Sequence, residues 1–138
     1  SIPDVELLVG GGICKVLPSL GKIEGVSAMG YIDNPAEFYA KADVAINPVF
    51  QGTGLKIKTF EAISFDKVTL VHPHSMAGVF RKEDTPLFAS DKPEAWVAFL
   101  KKIWGNPDAV NVIKQKNKEY LQAMNEFIIG EYIRFLKN

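Results

Sequence analysis

Cysteine is nearly absent from this 138-residue sequence. Cys14 stands alone, so no internal disulfide can form, which fits a reducing, cytoplasmic setting. Charge of either sign in excess is also missing. Sixteen Lys and Arg balance sixteen Asp and Glu, and no basic block occurs. That excludes the electrostatic footprint of a nucleic-acid binder. No apolar run approaches a membrane span, and no signal peptide opens the chain. Only two histidines are present, His72 and His74, with no Cys, Asp or Glu placed to complete a metal site. Nothing matches a P-loop, and Gly10-Gly11-Gly12 lacks the later glycine of a dinucleotide fingerprint.

What is present is ordinary globular chemistry, with 47% hydrophobic and 23% charged residues. Apolar residues begin by residue 5, which reads as a piece cut from a longer protein. Strands are expected at Val5–Val9, Val26–Met29, Asp43–Asn47 and Val68–His72, with a short edge strand at Leu87–Ala89. Ile13–Leu20 reads as a short helix or ordered loop. Asn34 and Pro35 form a cap and a first helical position. Leu55–Ser64 has helical spacing at Ile57, Phe60 and Ile63. A further helix opens at Pro93, with Trp96, Phe99, Leu100 and Ile103 on one face. Two more are expected, from Asp108 to about Asn125 and from Phe127 to Leu136. The last is apolar around most of its circumference, and core is the default reading for it. Strands alternating with helices predict one α/β domain, Rossmann-like, with a parallel sheet, helices on both faces and helices at its C-terminal end.

In such sheets ligands sit at the carboxyl ends of strands. The richest end here is Pro48 to Gly54. Gly52 and Gly54 let backbone approach a ligand, and a helix follows with unpaired N–H groups and a positive dipole end. Lys56 and Lys58 crowd cations into its first turn, where each is unfavourable by roughly 0.3–1 kcal/mol. A phosphate or diphosphate would compensate. An ordinary turn with two solvated lysines explains the spacing equally well. Glu61 is a solvated face residue or a partner for Lys58 at i, i+3, or else it faces the cleft and accepts from a sugar hydroxyl, and pattern alone favours the first pair of readings.

Taken in order, these segments resemble the group 1 family of retaining glycosyltransferases with GT-B architecture. The resemblance lies in Leu7-Leu8-Val9-Gly10-Gly11, Gly30-Tyr31-Ile32-Asp33, the run Tyr39 to Pro48, the stretch Gly52 to Ala62, and Asp91 to Trp96. It implies a donor-binding domain spanning residues 1–138, taking a nucleoside-diphosphate sugar as substrate, without cofactor or metal. On it, Glu61 meets the ribose. Gly52, Thr53, Gly54, Leu55, Lys56 and Lys58 lie at the diphosphate or sugar, and Tyr31 and Ile32 lie against the base. No residue of the chain is assigned a catalytic role. The acceptor, a glycan or glycolipid, would be held by an N-terminal domain that the chain lacks, in polysaccharide or glycolipid synthesis. Peripheral membrane association of the parent and self-association of the fragment are compatible with it.

Several features depart from that pattern. Thr53 stands where many relatives carry a first glutamate, and His72 and Met76 replace small residues. The family's domain begins with a strand–helix unit, bearing an arginine and a lysine, that is not in this sequence. Direct pairing of Val5–Val9 with Asp43–Asn47 is the slightly favoured way to close the sheet. Completion by a second copy, or by the missing unit, would also serve. Three rival readings remain: a non-catalytic nucleotide-binding module, a nucleotide-sugar epimerase of the same architecture, and a receiver-like signalling domain. The last would want clustered acids at strand ends, and only Asp33 is available.

Overall fold

A computed structural model describes residues 5–137. The chain is mixed α/β with parallel strands, and it divides into two compact units at Asp43/Val44.

In the first unit, β1 (Leu7–Gly10) pairs in parallel with β2 (Val26–Gly30). Between them, Gly12–Lys15 and Leu17–Leu20 form two 3-10 turns, the second with Pro18 near its start. Pro18 is tolerated there because the first turn needs no N–H donor. Gly30, at φ 69, turns the chain out of β2. Helix α1 (Pro35–Ala40) then starts as the sequence predicts. The Asn34 side chain accepts from Ala36 N–H at 3.1 Å, and Pro35 fills the first position.

In the second unit, β3 (Val44–Asn47), β4 (Val68–Val71) and β5 (Phe88–Ala89) form a parallel sheet in that order. All four residues of β4 are buried, as a central parallel strand requires. Val68 and Leu70 share one face and pack with Trp96, Phe99, Leu100 and Ile103 of α3 (Pro93–Ile103). Each such side chain stabilises by about 1.5–3 kcal/mol on full burial. Helix α2 (Ile57–Ser64) packs against β3 and β4 and buries Thr59, Ala62 and Ile63. A second cluster joins Ile63 to Val79 and to Tyr120 of α4 (Pro107–Leu136).

Two expectations need correction. Helix α2 begins at Ile57, not Leu55. Gly54 at φ 78 and Lys56 at ψ 87 keep the preceding residues out of helical geometry. The last two expected helices are one, running 30 residues. Met124-Asn125-Glu126 offers neither Pro nor Gly, and one Asn costs a helix under about 1 kcal/mol.

The apolar end of α4 does not join the core. Ile129, Tyr132, Phe135 and Leu136 are exposed, although the Phe127 ring lies 4.9 Å from that of Phe80. No helix among the described residues is long and apolar enough to cross a membrane.

Candidate functional site

The loop between β3 and α2, residues 48–56, carries two glycines, and Gly52 and Gly54 take φ of 95 and 78. An L side chain is strained in that region, so both glycines are required by the path of the backbone. The loop is held from several sides. Asn47, at the end of β3, donates from Nδ2 to Thr59 Oγ1 at 2.8 Å, and Thr59 is fully buried. This joins the strand end to the first turn of α2. The segment after β4 supplies two more ties. Ser75, also fully buried, donates from Oγ to Val49 O at 3.2 Å. His74 Nε2 donates to Gly52 O at 2.7 Å. His72 caps the 3-10 turn Pro73–Met76 by accepting from His74 N–H at Nδ1, 3.1 Å away. Its ring lies edge-on to Phe50, with centroids 6.2 Å apart.

The consequence is a one-sided loop. Carbonyls of Val49, Gly52 and Thr53 are engaged, the last by Lys56 Nζ at 3.4 Å. Among the described residues, no backbone N–H from Phe50 to Lys56 donates to a protein acceptor. Helix α2 starts without a side-chain cap and with no acid in its first turn. Its first N–H groups therefore add to an uncompensated positive end. The Lys56 ammonium folds back over the loop, 3.3 Å from where a Cβ on Gly52 would stand. It makes no ion pair among the described residues. N–H donors without a protein acceptor, an uncapped helix start and a lysine without an ion pair thus share one short segment, among the described residues.

The remaining expected residues are placed as follows. Thr53 and Leu55 are exposed on the loop. Lys58 is not free. It pairs with Glu61 one turn on, at 2.7 and 3.0 Å from the two carboxylate oxygens, while the Glu61 side chain is only 21% exposed. The ion pair weighed from spacing is therefore formed. In the first unit, Tyr31 is 86% exposed, just after the Gly30 turn. Ile32 instead packs inward. A Cβ on Gly10 would lie 2.7 Å from Ile32 Cγ1 and 3.2 Å from Phe38 Cε2. Asn47, His74 and Ser75 were not picked out as supports of the loop. Their signal was polarity at strand carboxyl ends, and for His74 and Ser75 spacing alone does not connect that to loop residues more than twenty positions away.

Cys14 donates its thiol to Val9 O at 3.0 Å and has no base beside it. No group of three or more metal-ligating side chains occurs among the described residues.

A family model described as glycosyl transferases group 1 matches residues 2–106. No curated protein matches the sequence. Among solved structures, the chain is similar to the C-terminal CMP-Kdo binding domain of WaaA from Acinetobacter baumannii. Identity is 14% and the TM-score 0.52, over 85% of this chain and 62% of that one. At that identity the likeness is one of fold. The chain thus spans less than two thirds of the length of that domain.

Proposed function

The chain belongs to the glycosyl transferases group 1 family, and from that premise we propose that it is the donor-binding part of an enzyme that moves a sugar from a nucleoside-diphosphate sugar to an acceptor hydroxyl, with retention at the anomeric carbon. The observation that carries this reading is the Phe50–Lys56 loop. Its N–H groups lack acceptors, its one cation is unpaired, and an uncapped helix follows. A diphosphate supplies what that surface lacks.

In the reaction, the acceptor hydroxyl oxygen bonds to the anomeric carbon as the bond from that carbon to the diphosphate oxygen breaks; negative charge grows on the leaving diphosphate, which takes up the hydroxyl proton. Fixed N–H donors and Lys56 stabilise that charge without reorganising at the moment of reaction. Glu61 accepts from a ribose hydroxyl, in exchange for part of its contact with Lys58. Lys58 is then released toward the phosphates. The acceptor, a glycan or glycolipid, is held by parts of the enzyme outside this sequence, in the cytoplasm. No metal or cofactor takes part in this scheme.

Calorimetry on the full-length protein tests it, with UDP, GDP, ADP, CDP and TDP set against the corresponding nucleosides. At least one diphosphate should bind more than about tenfold tighter than its nucleoside, the minimum for several charge-assisted hydrogen bonds. Equal, weak binding of both would sink the proposal. Glu61→Ala should weaken the preferred diphosphate by roughly 1.5–3 kcal/mol, as for a hydrogen bond to a charged group. Unchanged affinity would remove Glu61 from the site. Thr53, where many relatives carry a glutamate, favours one alternative, a module that binds donor without transferring it. Turnover by the full-length protein separates the two.

A further inference from the structure

Histidine 74 lies outside the glycine loop in sequence, yet it holds the loop's central peptide. Its Nε2–H donates to Gly52 O at 2.7 Å. No cis peptide occurs among the described residues, so the Gly52–Thr53 unit is trans and planar. In a trans peptide the C=O and the following N–H point in opposite directions. Tying Gly52 O to His74 therefore aims Thr53 N–H away from His74. Gly52, at φ 95, has no Cβ to resist rotation of that peptide, so some contact must choose its orientation. The His74 backbone is itself fixed, because its N–H donates to His72 Nδ1 at 3.1 Å. Its neighbour Ser75 anchors the same turn through Val49 O.

We propose, on the basis of the donor reading of this loop, that His74 is a positioning residue for diphosphate recognition: its Nε2–H sets the Gly52–Thr53 peptide so that Thr53 N–H is presented to a phosphate oxygen. A loop already held in its binding geometry loses less freedom when the anion arrives. Without the latch, the peptide turns more freely at Gly52, and the anion must order it at the cost of affinity.

The test uses the full-length protein and three variants. His74→Gln keeps an N–H donor at about the reach of Nε2. His74→Asn carries a donor too short to arrive, and His74→Leu carries none. Two readouts are taken: hydrogen–deuterium exchange of the peptide covering residues 48–58, and calorimetric affinity for inorganic pyrophosphate. His74→Leu and His74→Asn should raise exchange in that peptide while leaving β4 and α4 unchanged. Both should weaken pyrophosphate about tenfold, the scale of one preorganised hydrogen bond to a charged group. His74→Gln should stay near wild type in both. Wild-type exchange and affinity in His74→Leu would overturn the latch. So would a Gln variant as impaired as the Leu variant, because the donor would then be irrelevant. If the wild-type protein binds neither pyrophosphate nor any nucleoside diphosphate, the donor reading falls. The exchange comparison still decides whether His74 holds the loop.

Discussion

Asp66 occupies a backbone position that favours glycine. It follows α2 at φ 59, with its N–H on Ile63 O and the Lys67 N–H on Ala62 O, a paired closure of the helix end. Its Oδ1 is buried without a hydrogen-bond partner. Asp66→Gly removes both the left-handed strain and the orphaned oxygen. It should raise stability by about 1 kcal/mol, as the strain of a non-glycine there is about that size. A higher denaturant midpoint in urea would confirm it, and a lower one would show that the carboxylate has a role this geometry does not reveal. Gly10 is the opposite case. Its conformation suits any residue, but Ile32 and Phe38 leave no room for a methyl group. Gly10→Ala should destabilise the first unit by about 1–3 kcal/mol, the usual cost of overpacking. Exchange protection of β1 and β2 is the readout, and unchanged protection would mean Ile32 yields freely.

Helix α4 carries two different environments along one element. Tyr120 is 4% exposed and donates to Phe80 O at 2.6 Å, and the buried Asn117 donates to Lys67 O at 3.0 Å. Burial pushes the Tyr120 hydroxyl above its usual pKa of 10.0, partly offset by a hydrogen bond with Thr85. The unfolded chain therefore loses this proton first as pH rises. The stabilisation is complete below about pH 10 and is lost as pH climbs from there through the raised folded value. Alkaline unfolding followed by circular dichroism should show that loss, and Tyr120→Phe should reduce it while costing about 1 kcal/mol at neutral pH. An identical alkaline slope in the variant would exclude Tyr120 as its source. Farther along, Gly130 lies within the exposed end of the helix with open space around its Cα. Gly130→Ala should favour the helix locally by about 0.5–1 kcal/mol. Slower amide exchange across residues 127–136 would report it, and faster exchange would contradict it.

At the scale of the whole molecule, charge is balanced, with a net charge of 0 at pH 7 and an isoelectric point near 6.7. Little self-repulsion opposes association at that pH. Solubility should pass through a minimum near neutrality and rise toward pH 9, measured by light scattering. A minimum well away from the isoelectric point would mean that the exposed apolar residues, not charge, govern association. The isolated 138-residue chain should transfer no sugar. Rate enhancement in such a reaction comes largely from holding donor and acceptor together, and nothing in the proposed donor surface positions an acceptor. Transfer of a labelled donor by this chain alone would refute that.

Much of the fold was legible because it is written in local chemistry. The short apolar runs ended by Gly or Pro became β1 to β4, and the run at residues 87–89 became β5. The Asn34–Pro35 pair started α1, and Trp96, Phe99, Leu100 and Ile103 turned α3 inward. These are decisions of steric preference and side-chain period, made within a few residues. The glycine loop was legible for the same reason, since only glycine takes its backbone angles without strain. Two matters were settled elsewhere. The fusion of two expected helices into α4 depends on the absence of a strong breaker, which a change of polarity at Asn125 imitates. The grip of His74 and Ser75 on Gly52 and Val49 spans more than twenty residues. It exists only because parallel strands β3 and β4 bring their carboxyl ends to the same side of the sheet. Sequence by itself determined the donors and the flexibility of that loop. Tertiary structure decided which carbonyls are tied down, and so which N–H groups remain for a ligand.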